Sequence, residues 1–178
     1  MRYLIASDIH GSAYYAEKLL ELSKTERADK IILLGDIYNH GPRNPLPKDY
    51  NPMKVSEILN SITEKLIVIK GNCDSQVDTL ISDFDFCDTA VIEIDNKTIF
   101  LNHGHLFNKD KMPKTKYNAM IYGHFHTGFI IEEDSMLIAN AGSLSLPKDK
   151  TQGTYIIIEN NTMTLKEIDG KVLAEKSF

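Results

Sequence analysis

"KIILLGD", residues 30–36, is the stretch on which the fold of this chain turns. Its apolar run leaves no polar face, which suits a short strand of a parallel sheet covered on both sides. Asp36 follows as soon as the run ends. The same design stands on either side of it. "YLIA" (3–6) reads as a buried strand leading into Asp8 and His10, and "KLIVIKGN" (65–72) as a third strand leading into Asn72. Between these strands, residues 12–25 carry Ala16, Leu19, Leu20 and Leu22 at helical spacing, with Ser12 as an N-cap. "PMKVSEILNSI" (52–62) reads as a second helix, with Pro52 in the first turn, where proline is tolerated. The first half is therefore βαβαβ.

The second half reads as mostly β. "TAVIEIDNKTIFLNHG" (89–104) is a hairpin turning at Asn96. "NAMIYGHFHTGFIIEEDSMLIANAGS" (118–143) is strand, loop, strand, turn, strand, and "GTYIIIENNTMTLKEI" (153–168) is a hairpin around Asn160 and Asn161. The combination is an α/β (α+β) chain with two sheets packed face to face and helices outside. "YNHGPRNPLPKDYNP" (38–52) is a long loop, and long loops in compact domains are often functional.

Composition narrows the class. The chain has 178 residues, read as one domain over 1–178, and a net charge of -5 that gives no electrostatic footprint for a nucleic acid polymer. Its two cysteines, Cys73 and Cys87, form neither a metal-type spacing nor a disulfide framework. Cys87, beside "FDF", is expected to be a buried thiol. The first apolar run is too short for a signal peptide, and no run approaches the roughly 18 residues of a membrane span. A cytoplasmic protein without membrane contact is expected.

The polar residues sit where the strands end. Asp8 and His10 follow the first strand, Asp36 the second and Asn72 the third. His103 and His105 follow "TIFLN", and His124 and His126 follow "AMIY". In open α/β sheets, ligands bind beyond the carboxyl ends of strands. Each piece alone reads as well as a turn or a helix cap; their joint order, each after a strand, is the signal. Carboxylates, imidazoles and one amide match borderline divalent ions such as Mn²⁺, Fe²⁺, Co²⁺, Ni²⁺ or Zn²⁺. Seven such groups are too many for one tetrahedral site and suffice for two ions if one carboxylate bridges. Two ions so placed hold a hydroxide between them and stabilise in-line displacement at phosphorus.

"DIHG", "GD", "GN", "HGH" and "GHFH", in this order, resemble the calcineurin-like metallophosphoesterases over nearly the whole chain. "GDIYNHGPRNPLP", "GNCDSQVD" and "NAGSLSLPK" are similar to the small bacterial and archaeal phosphodiesterases of the YfcE type. The resemblance implies a four-layer α/β/β/α sandwich. It also implies that Asp8, His10 and His126 hold one ion, that Asn72, His103 and His124 hold the other, and that Asp36 bridges, with Mn²⁺ as the expected metal. Asn140, Gly142 and Ser143 then read as support for the ligand strands.

The chain departs from the family pattern at two places. "GNH" followed by an acid, in which the histidine serves the leaving group and the acid orients it, is here Cys73 followed by Asp74. "DRG" is replaced by Asn39-His40-Gly41. A thiol carries no positive charge when protonated, and losing one general acid costs about 10²–10⁴-fold. Cys73 is therefore expected to narrow the leaving-group range, favouring activated diesters over alkyl monoesters. His40 and His105 are alternative proton donors, and Arg43 is a candidate phosphate contact or a loop brace. The expected function is hydrolysis of a small phosphodiester. The alternatives are a phosphomonoesterase, or a non-catalytic metal-binding scaffold like the retromer subunit of this fold. Symmetric self-association into a homo-oligomer is left open.

Overall fold

The computed structural model describes residues 1–148 and 150–178. Strand β1 (Tyr3–Ala6) is followed by α1 (Ala13–Thr25), β2 (Lys30–Leu33), α2 (Pro52–Asn60) and β3 (Leu66–Ile69). Ser12 caps α1 by accepting the Tyr15 N–H, and Pro52 occupies the first turn of α2. The chain then turns almost wholly to strand: β4 (Phe86–Cys87), β5 (Ala90–Ile94), β6 (Lys97–Leu101), β7 (Ala119–Tyr122), β8 (Gly128–Glu133), β9 (Met136–Ala141), β10 (Thr154–Glu159), β11 (Thr162–Glu167) and β12 (Val172–Ser177). Two sheets result, one ordered β12-β11-β10-β1-β2-β3-β4 and the other β5-β6-β7-β9-β8. In the first, β1 to β4 are parallel to one another; in the second, β6, β7 and β9 are.

The continuous apolar runs are explained by two covered faces. Ile5, Ile32, Leu34 and Ile69 point between the sheets and join Ile99, Leu101, Ile121 and Ala139 of the second sheet in one buried cluster. Their neighbours Leu4, Ile31, Leu33 and Val68 point the other way and pack against Ala16, Leu19, Val55 and Leu59 of the two helices. Each such side chain, fully buried, contributes roughly 1.5–3 kcal/mol. The outer face of the second sheet, with Phe100, Met120, Tyr122 and Ile138, is covered by Phe107 and Tyr117. The two facing sheets with the helices on the outside agree with the expected sandwich, and the chain between β6 and β7 lies on the far side of the second sheet.

The turns follow the expected chemistry. Asp95 and Asn96 between β5 and β6, and Asn160 and Asn161 between β10 and β11, all have φ between 49 and 63, as tight hairpins of right-handed twist require. One point differs from expectation and two were not anticipated. Cys87 is exposed on the short edge strand β4 rather than buried, because only two residues pair there and no element covers them. Leu20 of α1 is only half-buried, at the margin of the helical face. The edge strand β12, mostly exposed, carries no apolar alternation and is a strand only through its pairing with β11. No helix among the described residues is long and apolar enough to cross a membrane.

Candidate metal centre

The parallel strands of both sheets deliver their carboxyl-end loops to one rim. Asp8, His10, Asp36, His103 and His126 are buried there, with His124 half-buried. His10 Nε2 lies 3.2 Å from His126 Nε2 and 3.5 Å from Asp8 Oδ1, and His126 Nε2 lies 3.3 Å from Asp8 Oδ1. On the other side, His103 Nε2 lies 3.4 Å from Asp36 Oδ2, 3.0 Å from Asn72 Oδ1 and 3.3 Å from His124 Nδ1. Asp36 Oδ2 is also 3.8 Å from His10 Nε2, so this carboxylate faces both groups. All seven residues expected as ligands are brought together in two sets sharing Asp36.

The imidazoles are held as metal ligands need to be. The Nδ1 atoms of His10, His103 and His126 pair with the carbonyls of Asn39 (2.7 Å), Leu34 (2.6 Å) and Leu146 (2.7 Å). An Nδ1–H donated to a carbonyl leaves the Nε2 lone pair free and aimed at the cluster. His124 offers Nδ1 instead, while its backbone N–H donates to Asp8 Oδ2 at 2.9 Å. The other oxygen, Asp8 Oδ1, is buried without a hydrogen-bond partner among the described residues. A buried carboxylate oxygen without a donor, beside two Nε2 atoms, fits a cation.

The backbone bends to achieve this. Asp8, His10, Asp36, His124 and His126 all have positive φ, between 52 and 67, a conformation costing about 1–3 kcal/mol for each non-glycine residue and typical of functional sites. Glycines make room. A Cβ on Gly71 would overlap Asp36 Oδ1, and one on Gly123 would overlap Ser7 Oγ and lie 2.6 Å from Asp8 Oδ2. The glycines of "GN" and "GH" are there because a carboxylate passes over them. Ser143 and Ser145 both donate to the Asp8 carbonyl, at 2.8 and 2.9 Å, and Asn140 donates to the Gly123 carbonyl at 2.7 Å. These three side chains brace the two turns that carry Asp8 and His124.

Electrostatics follow from the crowding of two carboxylates. Burial opposes the charged form of His103, but its pairing with Asp36 and the charge of Asp8 outweigh this and raise it to about 9. Burial also favours neutral Asp8, yet the imidazoles of His10 and His126 hold its carboxyl well below the usual range. Cys73 is half-buried; burial and the charge of Asp36 push its thiol up to about 12. Its backbone N–H donates to Asp36 Oδ1 at 2.8 Å, and its sulfur accepts from Asn72 Nδ2 at 3.3 Å. Asp74 does not turn towards that thiol. Its Oδ1 accepts the Ile37 N–H at 2.7 Å, and its Oδ2 accepts those of Asp36 and Gly71 at 2.8 Å each.

A cleft of about 670 Å³ opens over the cluster. It is lined by Asp36, Asn72, Cys73, His124 and His126, and by Asn39, Arg43, Asn44, Phe125 and Lys148. His40 is not among its lining residues; its ring packs edge-on against Tyr50, centroids 5.3 Å apart. His105 is exposed, its ring 5.4 Å from that of His103, and it too lies outside the lining. Pro42, Asn44, Phe125 and Lys148 are cleft residues that sequence reasoning did not single out. The only trace of Phe125 was an apolar side chain between His124 and His126; it is 45% exposed.

Comparison with known proteins agrees with this geometry. Residues 1–163 match the calcineurin-like phosphoesterase superfamily domain. The chain belongs to that superfamily. Within it, the chain is 36% identical to the phosphodiesterase YfcE of Escherichia coli K12, covering 98% of this chain and 97% of the relative. The solved structure of the E. coli phosphoesterase superposes with a TM-score of 0.95 over 99% of both chains. A structure of Vps29 from Entamoeba histolytica complexed with zinc shares the fold, with TM-score 0.67 and 20% identity over 99% of both chains. Membership makes this member of the superfamily a phosphoesterase, and the donor set of its rim suits divalent metal ions.

Proposed function

We propose that this phosphoesterase hydrolyses small phosphodiesters with two divalent metal ions, Mn²⁺ foremost, and with Zn²⁺, Fe²⁺, Co²⁺ or Ni²⁺ as alternatives of similar ligand preference. One observation carries the reading: two sets of donor atoms share Asp36, three of their imidazoles are fixed through Nδ1, and Asp8 Oδ1 has no hydrogen-bond partner among the described residues. Asp8, His10 and His126 would hold one ion, Asn72, His103 and His124 the other, and Asp36 both. When bound, the ions supply Lewis acidity to the phosphoryl oxygens and the acidified water that attacks phosphorus.

The chain's own groups then decide the substrate. Asp36 is positioned by the Cys73 N–H and, through its backbone, by Asp74. The Cys73 thiol stays neutral and protonated at physiological pH, so it offers no positive charge to a monoester dianion and is a weak donor to a basic leaving oxygen. A singly charged diester with a good leaving group needs neither. Similarity to an enzyme named a phosphodiesterase supports the same preference. Both cysteines are free, which favours a reducing compartment such as the cytosol.

The test is metal-stripped and Mn²⁺-reconstituted protein assayed on bis(p-nitrophenyl) phosphate and p-nitrophenyl phosphate. Mn²⁺-dependent turnover of the diester, with the monoester at least tenfold slower, is expected. Absence of turnover with two ions bound would overturn the reading in favour of a metal-binding scaffold.

A further inference from the structure

We infer that Arg43 and Lys148 form an anion clamp beside the metal centre, and that the diester this cleft takes carries a second phosphate on one of its ester arms. The inference rests on the phosphodiesterase reading and names its substrate class more closely.

Both side chains line the cleft and are exposed, and neither makes an ion pair or side-chain hydrogen bond with any other described residue. Among the described lining residues the only carboxylate is Asp36, which already faces His10 and His103.

Their placement is built into the site. Arg43 rides on a loop tied to His10, which pairs with the Asn39 carbonyl at 2.7 Å. That loop is closed on itself by the Gly41 N–H donating to Asn39 Oδ1 (2.8 Å) and Asn44 Nδ2 donating to the His40 carbonyl (2.8 Å). Lys148 rides on a different segment, tied to His126: its own N–H donates to the His126 carbonyl at 2.8 Å, and His126 Nδ1 pairs with the Leu146 carbonyl. Two cations on two loops are thus anchored to the two imidazoles of one donor set, the one completed by Asp8. None is so anchored to His103, whose Nδ1 partner is Leu34 on the strand side.

Charge decides what they hold. Two divalent ions held by Asp8 and Asp36 would leave positive charge at the centre, which would draw the scissile diester. Arg43 and Lys148 add positive charge that no described residue of the lining offsets. A phosphate monoester group, carrying close to two negative charges at neutral pH, matches that remainder, and a guanidinium grips it bidentately. A cleft of about 670 Å³ has room for a nucleotide-sized arm.

The test pairs binding with turnover. Calorimetry on the Mn²⁺-loaded full chain compares thymidine 3′,5′-bisphosphate with thymidine 5′-monophosphate, and kinetics compare the p-nitrophenyl ester of thymidine 5′-phosphate with and without a 3′-phosphate. Wild type is expected to bind the bisphosphate, and to turn over its ester by kcat/KM, at least about tenfold better, since charge-assisted hydrogen bonds are worth that much or more. Arg43→Gln and Lys148→Gln should each erase most of that preference, through KM rather than kcat. Equal affinity of wild type for the two nucleotides would overturn the inference. Equal losses by the variants on both would also overturn it, by placing the cations on the scissile phosphate. A wild type that prefers the bisphosphate in calorimetry but hydrolyses no diester would uphold the clamp while refuting the phosphodiesterase.

Discussion

The carboxylate of Asp74 accepts the backbone N–H of Asp36 at 2.8 Å, so the acid that follows Cys73 fixes the backbone of Asp36 in the candidate metal centre and not the thiol beside it. With the N–H groups of Ile37 and Gly71 also bound to it, Asp74 clips the β2 loop to the β3 loop. Burial and the charge of Asp36 raise its own carboxyl to about 6. Replacing it strands three buried donors, each worth about 1–3 kcal/mol when left unsatisfied. Asp74→Ala is expected to lower stability by at least about 3 kcal/mol and to lower bound metal as well. Denaturant titration with metal analysis checks this; an Asp74→Ala chain of wild-type stability would show that the clip is dispensable.

Asp36 is the residue on which both donor sets depend. Asp36→Asn should leave the fold intact, since the side chain replaced is nearly isosteric, and should reduce diester turnover by roughly 10³-fold or more. Steady-state assay with circular dichroism as the folding control decides it, and turnover within a few-fold of wild type would exclude the shared-ligand arrangement.

Gly71 offers a subtler probe of the same carboxylate. Because a Cβ there would overlap Asp36 Oδ1 and crowd its backbone N, Gly71→Ala should push Asp36 out of position without replacing any residue of the donor sets. The expected signature is weaker binding of metal, by about tenfold or more for a displacement of this kind, in a chain that still folds. Unchanged affinity would mean that the β3 loop yields freely.

The Cys73 thiol, raised to about 12, is neutral through the working range. Cys73→His introduces a group able to carry charge and to donate a proton. Monoester turnover should rise by about 10²-fold, at the lower end of general acid catalysis, and diester turnover by much less. Comparing kcat/KM on the aryl diester and monoester tests it; equal gains, or none, would remove the leaving-group explanation.

Metal binding should release a proton. In the metal-free chain His103 titrates at about 9, so at pH 7 it is charged, and an ion must displace that proton to reach Nε2. Affinity should therefore climb with pH, by about tenfold per unit for one displaced proton, and level off above 9. Calorimetry in buffers of different ionisation enthalpy measures the release. A pH-independent affinity between 6 and 8 would show that His103 is neutral before metal arrives.

Much of this architecture was legible in the linear chain. Uninterrupted apolar runs at 3–6, 31–34 and 66–69 announced strands covered on both faces, and the structure sends alternate residues of each to the helices and to the second sheet. The polar residues at the end of each run were visible for the same reason: a run that stops abruptly at Asp8, Asp36 or Asn72 has reached the rim. That the seven donors meet, that Asp36 faces both sets, that Asp74 serves the backbone and that His40 packs on Tyr50 could only be decided in three dimensions. So could the exposure of Cys87 and Phe125 and the placing of Arg43 and Lys148 beside one donor set. The reason is physical. A strand's two faces and its ends are properties of local periodicity, and periodicity is written along the chain. Which loop ends converge depends on how two sheets twist and pack, and side chains on loops answer to neighbours distant in sequence.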